Sequence, residues 1–144
     1  MNIKQALKAK NKLVAEIKEL NDIVKSHNSI EAGNPRRFDV AEALEKVHEL
    51  TNQLVSLKAR IHRANAPVFE DIFAMAELKG QIKELKKLPV EEGKVNERYG
   101  SIVSVKEVAI NAAEVREMIK DREARIELIQ DKLDVHNANT IVGE

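Results

Sequence analysis

Two groupings of arginine with an aromatic ring carry the clearest chemical potential in this chain: Arg36-Arg37-Phe38 and Arg98-Tyr99. A guanidinium offers forked N–H donors to phosphate or carboxylate, and an aromatic face stacks on a nucleobase. Together, Arg36, Arg37, Phe38, Arg98 and Tyr99 predict a site for a small anionic, nucleotide-like ligand. A second cluster mixes ring nitrogens, amides and a cation: His62, Arg63 and Asn65 with His136, Asn137 and Asn139. Both clusters have a plainer use, because such residues also cap helices and solvate their ends.

Four polar residues, Lys10, His27, Arg122 and His136, interrupt apolar helical stripes. A buried unpaired charge is costly, so each must find a partner or reach solvent. Polar residues in such seams select helix partners and oligomeric state. The functional alternative is that Lys10 and Arg122 point into a polar pocket and hold an anion. No metal site is expected, since no histidine pairs with another histidine or a carboxylate in a zincin or di-iron pattern. No catalytic or cofactor motif is present either: Gly-x-Ser-x-Gly, Gly-x-Gly-x-x-Gly and the Gly-x-x-x-x-Gly-Lys-Ser/Thr loop are all missing. Carboxylates alternate with Lys and Arg along helix faces, as on a solvated surface. The expectation is a non-enzymatic protein without cofactor.

These residues must be held by helices. Ile3, Ala6, Lys10, Leu13, Ile17, Leu20 and Val24 step by three and four, predicting a helix over about 3–28. Gly33, Asn34 and Pro35 break it. Asp39 and Glu42 fit a capping box ahead of the all-apolar seam Val40, Ala43, Val47, Leu50, Leu54, Leu57, Ile61, Ala64. That second helix, about 40–65, stops before Pro67. Ile72, Met75, Leu78, Ile82 and Leu85 mark a third over 68–88, ended by Pro89. Gly80 inside it costs about 1 kcal/mol relative to Ala and predicts close approach of a neighbouring helix. The period then lapses from 89 to 110, where Ile102-Val103-Ser104-Val105 is β-branched, predicting an irregular excursion or small β-hairpin. Asn111 and Glu114 open a fourth helix, about 112–136, with the seam Val115, Ile119, Arg122, Ile126, Ile129, Leu133, His136. The tail after Asn137 is expected to fray or to dock on a partner.

Short connections favour antiparallel neighbours. The fold class is therefore mainly α: long antiparallel hairpins in a coiled-coil-like bundle, one helical domain over 1–144. This path gathers Arg36–Phe38 with the 89–110 excursion at one pole. Met1, the His62–Pro67 turn and the tail gather at the other.

Composition agrees. Charged residues make up 33% and aromatics 3% of 144 residues, the balance of long helices with an aliphatic seam. So thin a core makes a homo-oligomer the expected state, through the Val40–Ala64 and Val115–Leu133 seams. Lys+Arg and Asp+Glu both number 24, and zero net charge argues against bulk nucleic-acid binding while allowing a local basic pocket. Without cysteine there is no disulfide or thiolate. A polar N-terminus and the lack of a long apolar run imply no export signal and no membrane span, hence the cytoplasm, or host cytoplasm for a phage protein.

The local wording resembles the septicolysin-like family, small helical proteins of bacteria and their phages. Met1–Leu7 is similar to its opening helix. Arg60-Ile61-His62-Arg63-Ala64-Asn65-Ala66 is similar to its Arg-Ile-Asn-Arg-Thr-Asn-Ala turn, with His62 in place of Asn. Glu97-Arg98-Tyr99 followed by Ser101–Val108 resembles its Asp-Arg-Tyr segment. Ile129-Gln130-Asp131 and Asn137–Thr140 resemble its closing helix and tail, without the family's Trp. The resemblance implies a small helical protein. By class analogy with phage anti-defence proteins that sequester nucleotide signals, the expectation is a homo-oligomeric binding protein. The alternative is a structural or adaptor coiled coil, such as a virion or tail component.

Overall fold

The computed structural model describes residues 1–96 and 103–143. The order is α1 (Ile3–His27), α2 (Val40–Ala64), a 3-10 turn (Ala66–Val68), α3 (Phe69–Lys87), β1 (Gly93–Asn96), β2 (Val103–Lys106) and α4 (Ala112–Asn139). The protein is mainly α, as periodicity predicts. The chain divides into two compact units. One is Met1–Pro67 with Asp134–Glu144, the other Val68–Leu133.

The first unit is an antiparallel hairpin of α1 and α2. Asn2 caps α1 with a full capping box: its Oδ1 accepts from Gln5 N–H at 2.8 Å, and Gln5 Oε1 accepts from Asn2 N–H at 3.0 Å. These bonds satisfy amides that a helix start leaves unpaired. After α1 the chain turns through Gly33, whose φ of 90° suits a residue without Cβ. Asp39 Oδ1 then accepts from Glu42 N–H at 3.0 Å and starts α2. Asn65 ends it, donating its N–H to Ile61 O at 3.0 Å, just ahead of Pro67.

Apolar seams hold the hairpin. Val47, Leu50, Leu57 and Ile61 of α2 are buried, but on α1 only Ile3 and Ala6 are. Leu13, Ile17, Leu20 and Val24 remain half-buried. A helix pair covers its seam from one side only, and a third layer reaches it only at one end. There Val142 joins Ile3, Ala6, Leu57 and Ile61 in a core cluster. On the surface, Lys18 Nζ meets Asp22 Oδ2 at 2.9 Å. The hydrogen bond holds the Asp22 carboxyl below its ordinary range and Lys18 above its own, but solvent screening leaves such a pair little weight.

In the second unit α3 and α4 run antiparallel, as two cross-pairs show. Asp71 Oδ2 meets Lys132 Nζ at 2.6 Å, and Gln81 Oε1 accepts from Arg122 Nε at 2.9 Å. Val68, Met75 and Leu133 form its core cluster, with Ile72, Ile126 and Ile129 packed against it. Asn111 Oδ1 caps α4 through Glu114 N–H at 2.8 Å. The predicted excursion contains a two-stranded antiparallel ribbon with Gly93 opposite Lys106 and Asn96 opposite Val103.

Three expectations are corrected. Gly80 is not a point of close helix approach, since a Cβ there would meet nothing within 4 Å. The α2 seam is not free for a second chain, because α1 already covers it. The tail neither frays nor waits for a partner. α4 continues to Asn139, and Val142, 3% exposed, packs on the chain's own N-terminus. Two backbone bonds fix it: Ile3 N–H to Thr140 O at 3.1 Å and Val142 N–H to Met1 O at 2.9 Å.

Candidate functional site

The loop between α1 and α2 carries half of the predicted anion site. Arg36 turns back onto α1, its guanidinium donating to His27 O at 2.6 Å and Asn28 O at 3.1 Å. It caps the last turn, where carbonyls are orphaned and the helix dipole favours a cation. Phe38 packs edge-on against the His27 ring, centroids 4.6 Å apart at 67°. His27 Nδ1 lies 3.1 Å from Ile23 O, so this seam histidine is satisfied locally. Arg37 is exposed and has no ion-pair partner among the described residues. A cleft of about 430 Å³ opens between His27, Ile30, Pro35, Arg36, Arg37 and Phe38. It offers one uncommitted guanidinium, the free donors of a second, and a ring edge. That is the chemistry of weak anion recognition. The other half, Arg98 and Tyr99, lies outside the described residues.

Around the second predicted cluster the structure forms a clasp between the ends of the chain, made largely by residues outside the cluster. His136 Nε2 is 3.2 Å from Ala64 O, and its Nδ1 is 3.1 Å from Thr140 Oγ1. A carbonyl can only accept, so Nε2 bears the proton and, in the neutral ring, Nδ1 accepts from the Thr140 hydroxyl. Asn2 Nδ2 donates to Ala138 O at 3.0 Å. Arg60 Nε reaches Gly143 O at 2.5 Å. Asn139 Nδ2 returns to Val135 O at 2.8 Å and ends α4. Asn65 Oδ1 is buried without a partner, while Arg63 is exposed and Asn137 half-buried. His62 is exposed and takes part in an interaction. The sequence missed Asn2, Arg60 and Val142 in this clasp. The apolar pair Ile141-Val142 in a polar tail was the available signal.

The remaining seam cations behave differently from each other. Arg122 donates to Gln81 and, at 3.0 Å, to Met118 O. Its cleft of about 570 Å³ is also lined by Glu77 and Glu84, which would repel an anion. Lys10 is half-buried in the hairpin seam. No group of three or more His, Asp or Glu among the described residues could hold a metal ion. No helix among them is long and apolar enough to cross a membrane.

Charge in the first unit is strongly polarised, although the chain is neutral overall. Residues 1–13 and 53–67, which the antiparallel path places side by side, carry Lys4, Lys8, Lys10, Lys12, Lys58, Arg60 and Arg63 and no Asp or Glu. Residues 14–52, the loop half, hold eight Asp or Glu against five Lys or Arg. Net charge conceals this division.

The fold and site define a helical-hairpin protein with a clasped terminus and a polarised long axis in its first unit. Searches against protein-family models, curated proteins and solved structures return no match.

Proposed function

We propose that the chain is a self-associating helical binding protein without chemistry of its own, whose assembled form offers the Arg36–Phe38 loop cleft to a small anionic ligand. One observation carries the self-association. The chain exposes 11000 Å², whereas a compact monomer of 16.2 kDa exposes about 7,500 Å². Even two separate compact bodies of half the mass would together expose about 9,000 Å². Half-covered helices contribute to the excess, with Val55, Phe73, Leu128 and Val135 each more than 60% exposed. Burial in a homo-oligomer disposes of such surface.

The anionic ligand is supported by Arg37 and by the unused Arg36 donors beside the Phe38 ring; the pairing with Arg98 and Tyr99 belongs to the same proposal. So does the septicolysin-like resemblance, carried by Arg60–Ala66 and the Asn137–Thr140 tail. A second reading, a scaffold or adaptor without a small ligand, is favoured by the capping bonds that Arg36 already makes. Calorimetry against mono-, di- and cyclic nucleotides separates the two. Binding that is lost in Arg37→Ala and Arg98→Ala, both folded, supports the ligand. No heat with any of them leaves the scaffold.

A further inference from the structure

The α1–α2 hairpin carries a furrow along one side. On α2 the residues Glu42, Lys46, Glu49, Gln53, Ser56 and Arg60 follow at steps of four and three and so line one face. Leu13, Leu20 and Ile23 of α1, each half-buried, supply apolar floor. The furrow widens into a cleft of about 460 Å³ at the loop half and one of about 500 Å³ at the clasp half. Their charges are opposed. Asp39, Glu42, Glu45 and Glu49 surround the first cleft, with Lys46 its one cation, bonded to Glu49 at 3.1 Å. Arg60 and the Met1 end border the second, which has no carboxylate.

We infer that a second copy of this chain occupies the furrow, antiparallel to the first about a two-fold axis near mid-hairpin. The inference rests on the self-association proposed above and specifies its geometry. A parallel pair would set carboxylates against carboxylates and cations against cations along the whole hairpin. An antiparallel pair sets each acidic half against the partner's basic half, and like-charge contact is what excludes wrong registers. It also covers Leu13, Leu20 and Ile23 from the side that α2 leaves open. The area suffices: a hairpin side about 37 Å long and about 20 Å wide, two helices across, buries about 740 Å² per copy, close to the ~800 Å² of an ordinary stable interface. The two-fold makes the contact isologous, so the assembly closes as a pair.

The cysteine-free chain allows clean single spin labels at Lys8→Cys, Ala15→Cys and Lys25→Cys, read by dipolar spectroscopy with light scattering on the same samples. The antiparallel pair gives a short distance at 15. Axial offsets of about 20 Å at 8 and about 30 Å at 25 lengthen the distances there. In untagged chains, Glu42→Lys with Glu45→Lys weakens association about tenfold at low salt, and little at 1 M salt. Equal distances at all three positions, or an oligomer whose distances show no minimum near 15, overturn the antiparallel furrow while leaving self-association standing. A monomer overturns both. A chain that stays monomeric and binds a short DNA duplex through its basic half, losing it on Lys8→Glu with Lys12→Glu, assigns that half to a polyanion and also overturns the proposal.

Discussion

Arg36 illustrates how one side chain divides between holding the fold and meeting a ligand. As the cap of α1 it closes two carbonyls, so Arg36→Ala should cost about 1–2 kcal/mol of stability. Arg37→Ala next to it should cost almost nothing. Urea unfolding of both variants checks this, and equal midpoints would remove the capping role. Val142 makes the sharper case. Val142→Asp places a carboxylate among Ile3, Ala6, Leu57 and Ile61, and should destabilise by several kcal/mol. A surface substitution such as Asp131→Asn, at an exposed position, should not. An unchanged midpoint for Val142→Asp would mean that the tail does not dock. At this scale the sequence was legible wherever a residue belonged to a periodic seam, and every seam position named on α4 is at least half-buried. It was not legible for Val142 or Asn2. Val142 N–H bonds to Met1 O and Asn2 Nδ2 to Ala138 O, and no local period announces a contact between chain ends.

Among the elements, caps and breakers located nearly every boundary. Asp39, Asn111, Pro67 and Pro89 fix helix ends within a few residues because each changes which backbone N–H can be satisfied. α4 overran its expected end at 136 because Thr140 and Asn139 bond back to its last turn, supplying the cap that composition did not predict. Gly80 is the misread element residue. With nothing near its Cβ position, Gly80→Ala should stabilise α3 by up to about 1 kcal/mol. A thermal scan that instead shows loss of stability, together with a smaller particle by light scattering, would place a second chain against that face. Asn2→Ala should cost about 1 kcal/mol by opening the capping box of α1. A cost near zero would mean that the tail alone holds this helix start.

For the whole molecule, composition foretold a thin aliphatic core and too much exposed surface. The candidate site was legible only in part. Of the cluster read from polarity, His136 and Asn139 make contacts at the clasp, beside Asn2, Arg60 and Val142, which polarity did not single out. The loop arginines were named from chemistry, and one of them proves to be a cap. The charge division of the first unit is hidden in composition because it cancels in the total and appears only once α1 and α2 are laid antiparallel. Self-association is the central proposal for this chain, and its most direct test is the molar mass of the intact protein by size-exclusion chromatography with light scattering at micromolar concentration. It predicts a mass at a whole-number multiple of 16.2 kDa, two copies or more, and a particle of 16.2 kDa at every accessible concentration would contradict it.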